Sequence, residues 1–322
     1  MEYYLPSTRN SEDRTREIED LLQRFGACAL GPGTYVVKNL KMPDGTMLRG
    51  EGSATKLLLH PEGSFTVQLG SFCTVRDLMV LGSEEPIELP DAVGDRHGLL
   101  FLGNATPEDY HTQPRNSIIS GCFASGFTGG GLTCHDTGYS TVCSLTVSDC
   151  HIWNCGAGIN ISHFSEYHEF TNVLCSANRY GCINNGGNNV FVNCGFNSNI
   201  TGFLIDNSRG QSNNNSHGSA IGCTFNHSDK NKGIGIQILG ATSGYVFTGC
   251  QVFFSRIILE NSHGILFDNL NCGRMVSVSV KGGSSTIFST SHFLNDLEYH
   301  VEDNSLVKFL HCYTRDGRKV GL

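Results

Sequence analysis

The spacing of the cysteines constrains this chain more than any other feature. Cys122, Cys150, Cys175, Cys194, Cys223, Cys250 and Cys272 follow one another at intervals of roughly 20 to 30 residues, the range of a solenoid repeat. Each sits in a similar frame of a short apolar run, a cysteine, a polar stretch and a second apolar run. "NNVFVNCGFNSNITGFLIDN" and "GYVFTGCQVFFSRIILEN" show the pattern. His292 takes the matching place in the next unit, and Cys312 ends the series. Asn and Gly recur too often in these units for helices.

A unit of this length with two or three short strands is one coil of a β-solenoid. Coils stack about 4.8 Å apart, so equivalent inward residues form ladders. Here the ladders are expected to hold Cys, Val, Ile and Phe. Asn and Gly turn the corners, Asn by hydrogen-bonding its stacked neighbours and Gly by lacking a Cβ. Residues 11–25, "SEDRTREIEDLLQRF", read as the one helix. Ser11 is the expected cap, Ile18, Leu21, Leu22 and Phe25 form an apolar stripe, and Gly26 is the stop. The helix is expected to cover the first open coil. The expected organisation is one β-helix domain over 1–322. It has a helical cap in 1–27, first coils with long loops at 82–98 and 103–116, and regular coils over 116–322.

Composition bounds the function. The 14 cysteines show neither CxxC nor HExxH spacing, and the first twenty residues lack an apolar signal core. They read as buried free thiols in a chain made in the cytoplasm without a signal peptide. No metal or cofactor is expected. A net charge of −8 without a basic run argues against a general nucleic-acid binder. No stretch reaches the roughly 18 apolar residues of a membrane span.

The opening "NSEDRTREIEDLLQRFGACALGPGTYVVKNLKMPDGTMLRGEGSATKLLL" resembles the start of many proteins of the pectate-lyase-like superfamily. Their amphipathic helix precedes a strand pair, here Ala27 to Tyr35, and an "L-R-G-x-G" turn, here Leu48 to Gly52. The segment "NNGGNNVFVNCGFNSNITGFLIDNSRGQSNNNSHGSAIGCTFNH" is similar to β-helix proteins of phages and prophages. The resemblance implies an all-β, right-handed parallel β-helix of tailspike type. It further implies a virion-tail, carbohydrate-binding role, a polysaccharide or oligosaccharide partner, and a homotrimer joined by apolar patches on one outer face. A polysaccharide depolymerase, either glycoside hydrolase or lyase, is the enzymatic form of that reading. A non-catalytic spike or adhesin, or a fructotransferase- or epimerase-like enzyme, are the alternatives. The superfamily's "NTD", "DD" and "RIK" motifs and its calcium cluster are not found. Only "NNSHGSAIG" around His217 echoes its "GHG".

Three departures from the coil pattern carry the candidate chemistry. Loops 82–98 and 103–116 offer Asp91, Asp95, Arg96, His97, Asp109 and Tyr110 as a groove wall. "HFSEYHEF", His163 to Phe170, sets Glu166 and Glu169 among Tyr167, His168 and phenylalanines. Glycoside hydrolysis needs two carboxyls about 5 to 9 Å apart. "LIDNSRGQSNNNSHG" adds Asp206, Arg209 and His217, and stacking is expected to bring Asp206 near Glu166 or Glu169. Glu166, Glu169 and Asp206 are therefore the candidate acid, base or nucleophile. His168, Tyr167, Arg209, His217, Asp95 and Arg96 are candidate sugar contacts. Trp153 is another, as a platform with His151. The plainer readings are a solvated loop, a polar turn, Asp206 as a corner residue bonding backbone amides, and Trp153 packed on a strand face.

Overall fold

The computed structural model describes residues 3–7, 12–103, 114–135, 142–208, 217–227, 233–294 and 297–321. These residues form three long parallel sheets and a two-stranded one, Val142–Cys143 with Ser165–Glu166. Sheet A has 13 strands, from Tyr3–Leu5 to Leu306–Leu310. Sheet B has 12, from Gly33–Val37 to Tyr313–Thr314, and sheet C has 11, from Leu40–Lys41 to Glu298–Val301. The chain visits A, B and C in turn, giving a right-handed parallel β-helix of about 12 turns with one short helix. Among the described residues no helix is long and apolar enough to cross a membrane.

The corner from sheet A to sheet B explains the cysteine spacing. Its first residue is left-handed: Gly121, Asp149, Asn193, Gly222, Gly249 and His311 have φ between 53° and 64°. Gly, Asn and Asp bear that conformation best. The next residue turns inward, and at these six corners it is Cys122, Cys150, Cys194, Cys223, Cys250 or Cys312. The thiol then meets a carbonyl of the coil below. Cys194 Sγ donates to Phe170 O (3.4 Å), Cys223 to Phe191 O (3.4 Å), Cys250 to Ala220 O (3.3 Å) and Cys312 to Phe288 O (3.3 Å). Cysteine suits the place because it is a small apolar side chain that is also a weak donor.

Cys175 and Cys272 do not belong to this column. They lie two residues later, inside sheet B, in register with Phe196 and Phe293 respectively. Val173, after left-handed Asn172, and Leu270, after left-handed Asn269, take the corner place. His292 likewise points outward on sheet B, and Ser291 holds the column. Two inward positions two residues apart look alike in sequence, because strand alternation has period two. All 14 cysteines are free, and 13 are buried.

One apolar core runs from Leu5 to Val320. On sheet A, Phe247, Phe267, Phe288 and Phe309 stack on successive coils with centroids 5.0, 4.7 and 5.3 Å apart. Each such pair contributes about 0.5–1.5 kcal/mol beyond burial. Between sheets B and C an asparagine ladder satisfies corner amides. Cys155 N–H donates to Asn178 Oδ1 (2.8 Å), and Asn178 N–H donates to Asn199 Oδ1 (2.9 Å).

The helix spans Thr15–Phe25, starting later than expected. Asp13 Oδ1 accepts the Thr15 N–H (2.9 Å), while Ser11 lies outside the described residues. Ile18, Leu21 and Leu22 are buried, and left-handed Gly26 (φ 72°) closes the helix. Phe25 is exposed and stacks on Tyr3 (5.5 Å) instead of entering the core. Three contacts cover the first coil. Glu19 accepts the edge N–H of Lys41 on sheet C (2.8 Å), and Arg14 N–H donates to Val36 O on sheet B (2.9 Å). Tyr3–Leu5 pairs along sheet A.

Candidate functional site

From Arg76 onward the corners from sheet A to sheet B are uniform, with two residues between strands. The long segments all adjoin sheet C. Residues 82–96 and 227–233 lead into it, and 103–117, 136–145 and 207–217 lead out of it. The described loop 82–96 stands beside sheet C, which makes the outer face of that sheet the natural floor of a groove. Leu100, Thr133 and Leu204 point outward there yet are buried.

Loop 82–96 is pinned against three successive coils. Gly94 N–H donates to Thr128 O (2.8 Å). Ile87 N–H donates to Asn154 Oδ1 (2.7 Å), and Asn154 Nδ2 donates back to Ile87 O (3.0 Å). Asp91 lies 3.6 Å from Arg179 Nη1. A groove of about 740 Å3 lies behind the loop, lined by Leu58, His60, Pro61, Glu84, Ile87 and Arg96 among others.

Where the chain enters sheet A from sheet C, one column of residues gathers chemistry. Arg115, Cys143, Glu166 and Gly187 each precede a left-handed residue: Asn116 (φ 56°), Ser144 (61°), Tyr167 (58°) and Asn188 (55°). His217 is next in the column. Backbone bonds set the register. Ser144 N–H donates to Glu166 O (3.2 Å), Tyr167 N–H to Gly187 O (3.3 Å) and Asn188 N–H to His217 O (2.7 Å). Cys143 and Glu166 are paired across adjacent strands.

Gly187 leaves a gap in this column, and the His217 ring fills it. A Cβ on Gly187 would meet His217 Cε1 at 2.6 Å. The imidazole thereby acts on Glu166, two coils below. Glu166 is only 6% exposed, and its Oε1 has no hydrogen-bond partner among the described residues. Burial raises its pKa above the usual carboxylate range, and His217 and a hydrogen bond from the Asn188 side chain offset part of the rise. A carboxyl that holds its proton to higher pH and has a free oxygen suits proton transfer.

The other candidates separate. Glu169 opens the strand Glu169–Thr171 on sheet A and is exposed on its outer face, away from the corner. Tyr167 follows Glu166 directly and is 57% exposed. His168 is not a surface contact. It is fully buried between Phe101 and Phe170, with ring centroids 6.3 Å from each. Its Nδ1 accepts the Leu145 N–H (3.1 Å), Nε2 meets Ser165 Oγ (2.9 Å), and burial pushes its pKa down to about 3. It is a neutral core histidine whose two nitrogens are already used.

Asp206 ends a strand of sheet C, in register with Leu239. Its Oδ1 accepts from Ser208 N–H (3.0 Å) and Oγ (2.6 Å), and its N–H donates to Asn185 Oδ1 (2.8 Å). That is the corner role. The group stacked towards Glu166 is His217. Asp95 is exposed, and Arg96 donates to His60 O (3.3 Å) in the loop groove. His97 Nδ1 accepts the Gly130 N–H (3.1 Å) and lies 3.0 Å from Thr133 Oγ1, so it braces sheet C. Trp153 is half-buried on the outer face of sheet B, with His151 two residues before it. Arg209, Asp109 and Tyr110 lie outside the described residues. Among the described residues no three His, Cys, Asp or Glu side chains are placed to hold a metal ion. Gly187 and Asn188 were not singled out from sequence. The signal for both is the polar residue after each column position, which marks the left-handed corner.

No protein-family model matches the chain, and no curated protein matches it in sequence. Solved structures match it in fold. The Dettilon tailspike protein (gp208) aligns over 95% of this chain and 68% of its own, with TM-score 0.57 and 14% identity. The catalytic unit of the thermostable GH87 α-1,3-glucanase from Streptomyces thermodiastaticus strain HF3-3 aligns over 96% and 67%, with TM-score 0.63 and 12% identity. The tailspike protein gp49 of Acinetobacter baumannii bacteriophage Fri1, a capsular polysaccharide depolymerase, aligns over 95% and 57%, with TM-score 0.56 and 12% identity. The chain spans less than two thirds of that last protein. At such identities the likeness is one of fold, and this chain is a right-handed parallel β-helix of the kind seen in phage tailspikes.

Proposed function

We propose that this chain is a tail-associated, carbohydrate-active β-helix that binds a bacterial surface polysaccharide along sheet C and cleaves it at Glu166 and His217. The observation that carries the reading is the buried Glu166 carboxyl, with its unpartnered Oε1 and raised pKa, beside His217. It lies where the chain passes from sheet C to sheet A. Glu166 gives its proton to the departing glycosidic oxygen as the C–O bond breaks. Water adds to the anomeric carbon, and its proton goes to the His217 imidazole. The imidazolium, beside the new carboxylate, returns that proton to Glu166 and closes the cycle. The exposed Tyr167 ring is the sugar platform next to the pair.

A carboxyl with an imidazole, where two carboxyls were expected, also favours elimination if the glycan carries uronic acids. His217 would take the ring proton and Glu166 would protonate the leaving oxygen. Incubation with a panel of bacterial capsular and O-chain polysaccharides tests the function. Hydrolysis yields reducing ends alone, and elimination yields reducing ends together with ultraviolet-absorbing unsaturated ends. Binding without either product points to a non-catalytic spike, and the absence of both binding and cleavage overturns the reading.

The proposal includes a homotrimer. Val246, Leu266 and Ile287 follow one another in an outer column of sheet A that also holds Glu169, Val190, Ser219 and Lys308, and Val192 and Ile221 are neighbours in an adjacent one. This is the apolar face that a subunit contact needs.

A further inference from the structure

Sheet B carries a trough on the side away from the Glu166 corner. Its floor is a register column: Met79, Phe123 and His151 pair in succession and all point outward. The Phe123 and His151 rings meet edge to face, with centroids 5.3 Å apart. His151 Nε2 lies 2.8 Å from Ser176 Oγ, which fixes the imidazole plane. One rim is the corner between sheets A and B, where Asn172 Nδ2 donates to Asp149 Oδ1 (2.7 Å). The opposite end is closed by the short turn Gly52–Ala54. The trough has a volume of about 370 Å3 and crosses five coils, from that of Gly52 to that of Asn172. At the coil spacing it is on the order of 20 Å long.

An apolar floor with a polar rim at Asp149 and Asn172 matches one kind of occupant. A pyranose ring has a C–H face that packs on aromatic side chains and hydroxyls at its edge that bond to carboxylate and amide groups. Strung along the helix axis, a polysaccharide lies on this floor and turns its hydroxyls to the Asp149–Asn172 rim. The Asp149 carboxylate disfavours an anionic sugar at the rim. We propose that the trough is a second, non-cleaving site for a neutral or amino-sugar polysaccharide running along the helix axis. The inference takes its polymer class from the function proposed above, but its residues are separate. Such a site would hold the chain while the Glu166 corner acts elsewhere on it.

Trp153, the sole tryptophan, lies two residues beyond His151 on the same outer face and reports on the trough directly. The wild type and Glu166→Gln are titrated with neutral O-chain polysaccharides, and with polymannuronate as the anionic counter-probe, following tryptophan emission. The expected result is a saturable emission change with at least one neutral polysaccharide in both proteins, and none with polymannuronate. Phe123→Ala should weaken it by about tenfold. Asp149→Gly with Asn172→Gly should weaken it similarly, since glycine keeps the left-handed backbone at both positions while removing the side chains. Melting temperatures identify any variant that has merely unfolded. Unchanged affinity in both folded variants, or equal response to polymannuronate, overturns the trough. If the wild type cleaves a glycan but that glycan leaves tryptophan emission unchanged, the trough fails and the proposed activity stands. If the wild type neither binds nor cleaves any polysaccharide, both fail together.

Discussion

Glycine at position 187 is the smallest residue in its column, and the proposed chemistry depends on that. Its backbone is not left-handed, so alanine is tolerated by the chain but not by the His217 ring 2.6 Å away. Gly187→Ala should fold, displace the imidazole from Glu166 and slow cleavage, which a melting curve and a reducing-end assay measure together. Glu166 also links the site to stability. Its folded pKa is raised, so its contribution is present below the usual carboxylate range and lost as pH rises through the raised value. Glu166→Gln should therefore raise the melting temperature more at pH 7 than at pH 4. His168 has the opposite sign. Its pKa falls from 6.5 to about 3, so the stability it contributes at neutral pH is lost as pH falls through that window. Calorimetry across it should show acid destabilisation that His168→Gln reduces. At this scale the sequence offered Glu166 as a candidate without showing which groups surround it. Asp206 seemed to stack on it because a coil was counted from strand to strand, whereas left-handed corners set the register and place His217 there. His168 looked like a ligand residue because nothing local reveals that Ser165 and the Leu145 amide satisfy it inside the core.

Among the elements, the corner between sheets A and B is the most regular and the loop 82–96 the least. The corner thiols are buried and most have raised pKa values. Cys143, half-buried at the edge of the Glu166 column, is the one accessible exception. A thiol-specific reagent should therefore label Cys143 in the native protein and all 14 cysteines in denaturant. The cysteine period was legible because every coil repeats the same packing problem. The separate column of Cys175 and Cys272 was not, since alternation hides a two-residue offset. Loop 82–96 was legible as an insertion but not as a pinned wall, because its main latch, Asn154, lies far away in sequence. Asn154→Gly keeps the left-handed backbone (φ 52°) and removes both bonds to Ile87. Limited proteolysis should then cut loop 82–96 faster than in the wild type.

The whole molecule is a stack whose ends and outer faces decide what it meets. The covered first coil and the long core follow from the repeat itself, so the fold could be read before any coordinates. The outer faces could not, because which residues share one depends on register. Sheet A presents the apolar columns, and light scattering at micromolar concentration should give a trimer mass that Ile221→Lys with Ile287→Lys reduces to that of a monomer. A monomeric wild type would refute that assembly. Sheet C is flanked by the pinned loop 82–96, and the central claim is that cleavage happens at its corner with sheet A. The most direct test compares Glu166→Gln with Glu169→Gln on a polysaccharide that the wild type cleaves. Glu166→Gln should cut the rate by about 100-fold or more while remaining folded, and Glu169→Gln, on the outer face of sheet A, should keep most of it. Cleavage by folded Glu166→Gln at the wild-type rate would contradict the account.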